Sequence, residues 1–139
     1  MREGGWEECI EHHSALKITI DKARANSLID TAKGRTNYFK SQVVNETSAS
    51  FIFEGYYASV LELLHAIVIL QGYKVDNHVC LGYYLRDVLK NPKLFRFFYD
   101  CRFKRNSLVY YGKKMDLLIA KNSIQKCKKL ISELNSLLV

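Results

Sequence analysis

The chain has 139 residues, of which 48% are hydrophobic and 25% are charged, and its net charge is +7. This length and balance are typical of one globular domain with one continuous core, and no linker or internal repeat is visible. The positive charge favours an anionic partner such as nucleic acid, because lysine and arginine attract phosphates. We therefore expect a single domain over residues 1–139.

The apolar pattern predicts no membrane-spanning helix. The most apolar stretch, residues 55–73, is interrupted by Glu62 and His65, whereas a span needs roughly 20 mostly uncharged residues. The N-terminus carries glutamates instead of a basic start followed by an apolar run, so no secretion signal is predicted. We therefore expect a soluble, cytoplasmic protein that does not bind a membrane.

Four cysteines are present: Cys9, Cys80, Cys101 and Cys127. In a reducing cytoplasm all four are expected to remain thiols. They contain no C-x-x-C pair, so the sequence does not encode a zinc site locally. We expect neither a metal nor a cofactor.

The first two predicted helices contain the most apolar part of the chain. Residues 6–42 show apolar positions at three- and four-residue steps, and Gly34 is a candidate end or kink of that helix. Residues 45–48 offer N-cap candidates for the next helix, roughly 48–71, which is apolar on more than one face. We expect this second helix to be the central one.

Three more helices follow in the prediction. One starts in the N-cap region at 76–78 and reaches Lys90. The next starts at Pro92 and runs to about Tyr110, because proline suits the first turn of a helix. The last, about 113–138, carries a continuous apolar seam. No stretch has a two-residue alternation, so we predict little sheet and an all-α, up-and-down bundle of about five helices.

Most of the positive charge lies between residues 96 and 114. The basic residues there are Arg96, Arg102, Lys104, Arg105, Lys113 and Lys114. With Asp100 as the one acid, this stretch holds +5 of the net charge. Aromatic residues lie between them: Phe97, Phe98, Tyr99, Phe103, Tyr110 and Tyr111. Cations that hold phosphate beside rings that stack on bases suit single-stranded nucleic acid, although apolar residues at helical spacing more often pack in a core. The residues expected to bind RNA or its phosphates are Arg102, Lys104, Tyr111 and Lys113.

The segment RFKRNSLVYYG, residues 102–112, resembles the signature of HEPN domains (higher eukaryotes and prokaryotes nucleotide-binding). In that family an Arg, usually followed by a polar residue, precedes a His by four to six residues, and Arg105-Asn106 matches the first half. The stretch FEGYYASVLELLHAIVILQGYKVDNHV resembles the family's helix–glycine–His region, with Gly72 and His78 in the expected order. The segment AKNSIQKCKKLISELNSLL resembles its last helix. The resemblance covers the chain from about Phe51 to the end.

The resemblance implies a helical bundle that forms a homodimer, with motif residues of both subunits lining one cleft. Many HEPN proteins are metal-independent ribonucleases, often toxins paired with a nucleotidyltransferase antitoxin. In the implied mechanism the RNA's own 2′-hydroxyl attacks the adjacent phosphate, the Arg stabilises the phosphorane charge and the His moves protons. The implied catalytic residues are Arg105, Asn106 and Tyr110. Two more residues are candidates for a supporting role: His78 and Glu54.

The sequence departs from the family pattern at Tyr110, which stands five positions after Arg105, where the family has its His. A Tyr titrates near pKa ~10, against ~6.5 for His, so it is a poor base at neutral pH. Three functions therefore stay open. The protein either cleaves or only binds RNA, or it binds an acidic partner such as a nucleotidyltransferase antitoxin, or it holds the phosphates of a nucleotide with Arg102 and Arg105.

Polar residues on or beside the apolar helix have both structural and functional interpretations. Glu54 and Glu62 are candidates for a functional role, but a pairing with an arginine such as Arg102 explains equally well why carboxylates lie on an apolar helix. His65 is expected to be a core or interface residue. His78 is expected at a helix start, where a structural role is the default and catalysis is the alternative.

Overall fold

The structure, a computed structural model, describes residues 4–112 and 114–138, with the side chains of Tyr110 and Tyr111 left out. Within these residues it contains six α-helices and two short strands. They are α1 (Trp6–Glu11), β1 (Ala15–Lys17), α2 (Lys22–Lys40), α3 (Ala49–Leu70), β2 (Tyr73–Val75), α4 (His78–Tyr83), α5 (Pro92–Tyr111) and α6 (Leu117–Leu137). One turn of π-helix, Tyr84–Val88, continues α4. The predicted all-α class is confirmed, with one helix more than the five expected.

Helix α3 is the centre of the bundle, as its composition predicts. α2 and α6 both pack along it, and α5 packs against α6 and more lightly against α3. Phe53, Val60 and Leu64 are completely enclosed. Burying a side chain of this size stabilises the fold by about 1.5–3 kcal/mol. Several faces of α3 are therefore buried against other helices at once.

Helix α3 is also long and apolar enough to cross a membrane by length and composition alone. However, 72% of its most apolar window is buried inside the bundle. A core helix of a soluble protein has the same two properties. Its burial is consistent with the predicted soluble protein.

Local capping sets several helix boundaries close to the predicted ones. Asn77 caps α4 by accepting a hydrogen bond from the backbone N–H of Cys80 (2.8 Å), and Asn91 caps α5 by accepting one from Leu94 (3.1 Å). A cap of this kind contributes about 1 kcal/mol. Gly112 ends α5 in a left-handed conformation (φ 61°), which glycine adopts without steric cost.

The prediction of one helix over residues 6–42 is wrong. The first helix ends at Glu11, and His13 takes a positive φ of 59°. The chain then forms β1, which pairs antiparallel with β2 from a distant part of the sequence. Apolar spacing alone did not show this interruption, because the strand depends on backbone partners supplied by β2. Gly34 neither ends nor interrupts α2.

The N-terminal helix is attached to α4 by a disulfide between Cys9 and Cys80. The expectation that all four cysteines remain thiols is therefore wrong for this pair. Nothing in the spacing of the two residues indicated the bond, because they are 71 positions apart. Disulfides persist mainly in oxidising compartments, with hyperthermophile proteins as an exception, so the bond gives no support to a reducing cytoplasm.

The other two cysteines, Cys101 of α5 and Cys127 of α6, are free and completely buried. Their sulfur atoms lie 3.8 Å apart. The contact with Cys101, together with burial, raises the pKa of Cys127 well above its usual value. The thiol of Cys127 is therefore expected to stay protonated, which makes it a poor nucleophile.

Counting reactive thiols tests this arrangement. In the native protein, we expect neither Cys101 nor Cys127 to react with a thiol reagent such as Ellman's reagent, because both are enclosed. After unfolding without a reductant, two thiols are expected to react. Four reactive thiols would contradict the disulfide, and fast reaction of the native protein would contradict the burial of the second pair.

Candidate functional site

The start of α4 and the middle of α5 meet over α3 at His78. This histidine is the first residue of α4 and is half-buried. Its Nδ1 lies 3.2 Å from the hydroxyl oxygen of Tyr57, within hydrogen-bonding distance. Tyr57 is itself enclosed in the core, where its ring stacks on Phe98 with centroids 5.8 Å apart. A rigid core residue therefore orients the imidazole, whose Nε2 makes no hydrogen bond to any residue that the structure describes.

Two guanidinium groups from α5 lie beside this pair. The guanidinium carbon of Arg105 is 6.0 Å from the centre of the Tyr57 ring, and that of Arg102 is 5.3 Å from the centre of the Tyr99 ring. Both arginines are half-buried. Arg102, His78 and Tyr99 also line one shallow depression. A guanidinium can hold two phosphate oxygens at once, so Arg102 and Arg105 are suited to bind an anion near His78.

The electrostatics of the site favour a neutral imidazole. Burial lowers the pKa of His78, and the positive charge of Arg105, together with smaller effects of His65 and Arg102, lowers it further. Burial raises the pKa of Tyr57 far above its usual value, although the two arginines oppose this effect. Both ring groups are therefore neutral near pH 7. The site combines an imidazole able to accept a proton with two permanent positive charges.

Lys104 makes a different contact from Arg102 and Arg105. Its ammonium group lies 2.8 Å from a carboxylate oxygen of Asp100, and Lys126 of α6 lies 2.7 Å from the same oxygen. Burial of Asp100 raises its pKa, but the hydrogen bonds from the two lysines outweigh this effect and lower it overall. The structure thus places Lys104 in an ion-pair network between α5 and α6, and does not bring it to His78.

The remaining predicted site residues are only partly described. Asn106 follows Arg105 and is half-buried, and Glu54 is half-buried on α3, three residues before Tyr57. Lys113 and the side chains of Tyr110 and Tyr111 lie outside the described residues. Their roles stay predictions.

The second glutamate of the central helix has a partner other than the one suggested by the sequence. Glu62 accepts two hydrogen bonds from Arg35 of α2, at 3.1 and 3.2 Å, instead of pairing with Arg102. The reason is the packing of α2 alongside α3, which brings Arg35 to Glu62 while Arg102 lies beside His78.

His65 is half-buried on α3, and burial lowers its pKa.

The aromatic residues of α5 divide between core and surface. Phe98 is 1% exposed and packs on Tyr57, as the core interpretation predicts. Tyr99 and Phe103, four residues apart, are 51% and 63% exposed. They present two rings on one side of the helix, next to the arginines. Exposed rings of this kind offer surfaces on which bases can stack.

The contact that the sequence did not indicate is the one between Tyr57 and His78. The two residues are 21 positions apart on different helices, and Tyr57 belongs to an apolar run whose aromatic residues suggested only core packing. The one available signal was the N-cap pattern at Asn77, which places His78 at a helix start.

No family model, no curated protein and no solved structure matches this chain.

Proposed function

We propose that the protein binds single-stranded RNA, and cleaves it without a metal ion, at the site of His78, Arg102 and Arg105. The observation that supports this proposal is the imidazole of His78, which lies within hydrogen-bonding distance of Tyr57 and near the guanidinium groups of Arg102 and Arg105. Attack by a 2′-hydroxyl needs a base for its proton and positive charge for the phosphorane. Both kinds of group lie together at this site.

In the proposed reaction, His78 is the tautomer in which Nδ1–H donates to the Tyr57 oxygen and Nε2 carries the lone pair. Nε2 takes the proton of the 2′-hydroxyl, and the 2′-oxygen forms a bond to the adjacent phosphorus. The bond from phosphorus to the 5′-oxygen breaks, and that oxygen receives the proton. The products are a 2′,3′-cyclic phosphate and a 5′-hydroxyl, while Arg102 and Arg105 stabilise the phosphorane oxygens.

This proposal also accommodates the resemblance to HEPN domains. The family's His is replaced by Tyr110, and His78 would supply the missing imidazole from a different helix. We include in the proposal a HEPN-type bundle, a homodimer with a shared cleft, and a toxin-like role beside a nucleotidyltransferase antitoxin. A cytoplasmic location would further require that the Cys9–Cys80 disulfide resist reduction.

A second candidate is a non-catalytic protein that holds a mononucleotide. The observation that favours it is the ion pair of Lys104 with Asp100, which leaves Arg102 and Arg105 near His78 instead of a longer basic track. Two guanidinium groups suit the short phosphate chain of a nucleotide. The exposed rings of Tyr99 and Phe103 would then stack on its base, or contact a protein partner.

Cleavage of a labelled single-stranded RNA in the presence of EDTA tests the proposal. We expect products with cyclic-phosphate ends. The Arg105→Ala variant is expected to cleave roughly 10²–10³-fold more slowly, because it loses a charge that stabilises the transition state. Arg24→Ala, which removes an exposed arginine from α2, is the matched control and is expected to cleave normally.

Two other results would change the assignment. RNA or nucleotide binding without cleavage, lost in Arg105→Ala, would favour the second candidate. Equal cleavage by both variants and the wild type would indicate a nuclease activity unrelated to this site. A folded Arg105→Ala protein, judged by its helical circular dichroism, is needed for either conclusion.

A further inference from the structure

A groove of about 690 Å³ opens between α2 and α6 on a different face of α3 from the His78 site. Adjacent residues of α3 separate the two features. Tyr57 contacts His78, whereas Tyr56 lies in the floor of the groove. The volume is within the range of about 300–1,000 Å³ that is typical of pockets for small molecules. Nothing in the proposed RNA chemistry uses this groove.

The lining of the groove has an apolar floor and positively charged walls. The floor is formed by buried side chains: Ala32, Tyr56, Leu63 and Ile131. Three lysines stand on the walls: Lys33, Lys40 and Lys128. The residues that line the groove in the described part of the chain include no acid. The groove therefore favours a ligand that is apolar along its length and negatively charged.

The lysines come from both walls. Lys33 and Lys40 are seven residues apart on α2, which places them on the same side of the helix about 10 Å apart. Lys128 lies on α6, with its ammonium nitrogen 5.5 Å from the centre of the Tyr56 ring. An anionic group at the mouth can thus meet cations on two sides, while the part beneath it meets the apolar floor.

The length of the groove suits a ligand that lies extended along α2 and α6. The lining residues on α2, from Ile29 to Lys40, span about 16 Å along the helix axis. A single extended hydrocarbon chain is narrow enough to lie inside the groove.

We propose that this groove binds an anionic amphiphile with one acyl chain, of the fatty-acid type. The chain lies on Tyr56, Leu63 and Ile131, where it loses its contact with water. The carboxylate lies at the mouth, between the lysines of α2 and Lys128 of α6. The site is separate from His78, so the proposal stands whether or not the protein cleaves RNA.

Isothermal titration calorimetry with decanoate, below its micelle concentration, tests the proposal. We expect one site per chain in the wild type. Lys128→Glu is expected to weaken binding about tenfold, because it replaces an attraction by a repulsion. Lys121→Glu makes the same change of charge on an exposed part of α6 outside the groove, and is expected to leave the affinity unchanged.

A second variant tests the volume of the groove. Ser132 is exposed on the wall, so Ser132→Trp is expected to fill the groove, abolish decanoate binding and keep the fold. Wild-type affinity in a folded Ser132→Trp protein would overturn the assignment of the site. Decanol binding as tightly as decanoate would overturn the role of the lysines. No binding of decanoate, with binding of an acidic amphipathic peptide that Ser132→Trp blocks, would assign the groove to a protein partner instead.

Discussion

Replacing Cys9 and Cys80 by serine is expected to lower the free energy of unfolding by about 4 kcal/mol. The disulfide joins residues 71 positions apart, and a cross-link over a loop of this size removes much of the conformational entropy of the unfolded chain. Denaturation by guanidinium chloride, followed by circular dichroism, measures the change. Wild type treated with dithiothreitol is the matched control, because it opens the same bond without a change of sequence.

The folded state is expected to survive this loss, because other contacts also hold α1. The backbone N–H of Trp6 donates a hydrogen bond to Asp87 (2.8 Å), and the Trp6 ring packs edge-on against Tyr73 and Tyr84. The double variant should therefore keep its native helical content at low denaturant. Equal stability of the oxidised and reduced wild type would contradict the disulfide as a stabilising bond.

Replacing His78 by alanine is expected to slow RNA cleavage by roughly 10²–10⁴-fold, the usual contribution of a positioned general base. The effect is expected because Nε2 of His78 accepts the proton of the 2′-hydroxyl in the proposed reaction, and alanine has no group that can accept it. Single-turnover cleavage of labelled RNA measures it. His12→Ala is the matched control, since it removes an exposed histidine at the end of α1 and is expected to cleave normally. Equal rates for both variants would remove His78 from the mechanism.

The pH dependence of cleavage provides a separate readout for His78. Burial and Arg105 lower its pKa, so the imidazole stays neutral to a lower pH than an ordinary histidine. The rate should therefore be level near pH 7 and fall at acid pH, with its midpoint below the usual ~6.5. Tyr57→Phe keeps the ring on Phe98 but removes the hydroxyl, and is expected to change this midpoint. An unchanged profile in Tyr57→Phe would show that the hydroxyl does not position the imidazole.

The sequence determined the helical class and several boundaries. α3 was predicted from its continuous apolar pattern, and the start of α5 from Pro92. These signals are reliable because they act over a few residues: a cap bonds to a backbone group three positions away, and helical spacing repeats every turn. Residues that have no such local signal, such as those of β1, were assigned to the wrong element.

The sequence also selected the separate parts of the candidate site. Arg102 was chosen for its charge, and Arg105 and His78 for their match to the HEPN pattern. Their proximity was not predicted, because it depends on how α4 and α5 pack over α3. The same packing directs Lys104 to Asp100, although Lys104 stands beside Arg105 in the chain.

Only the tertiary structure decided the contacts between distant residues. The Cys9–Cys80 disulfide, the pairing of Tyr57 with His78 and the groove over Tyr56 each join elements that are separated along the chain. Charge, periodicity and caps determine what a segment can do by itself. Which side chains meet is determined by the burial of apolar faces against one another, which acts on the whole chain at once.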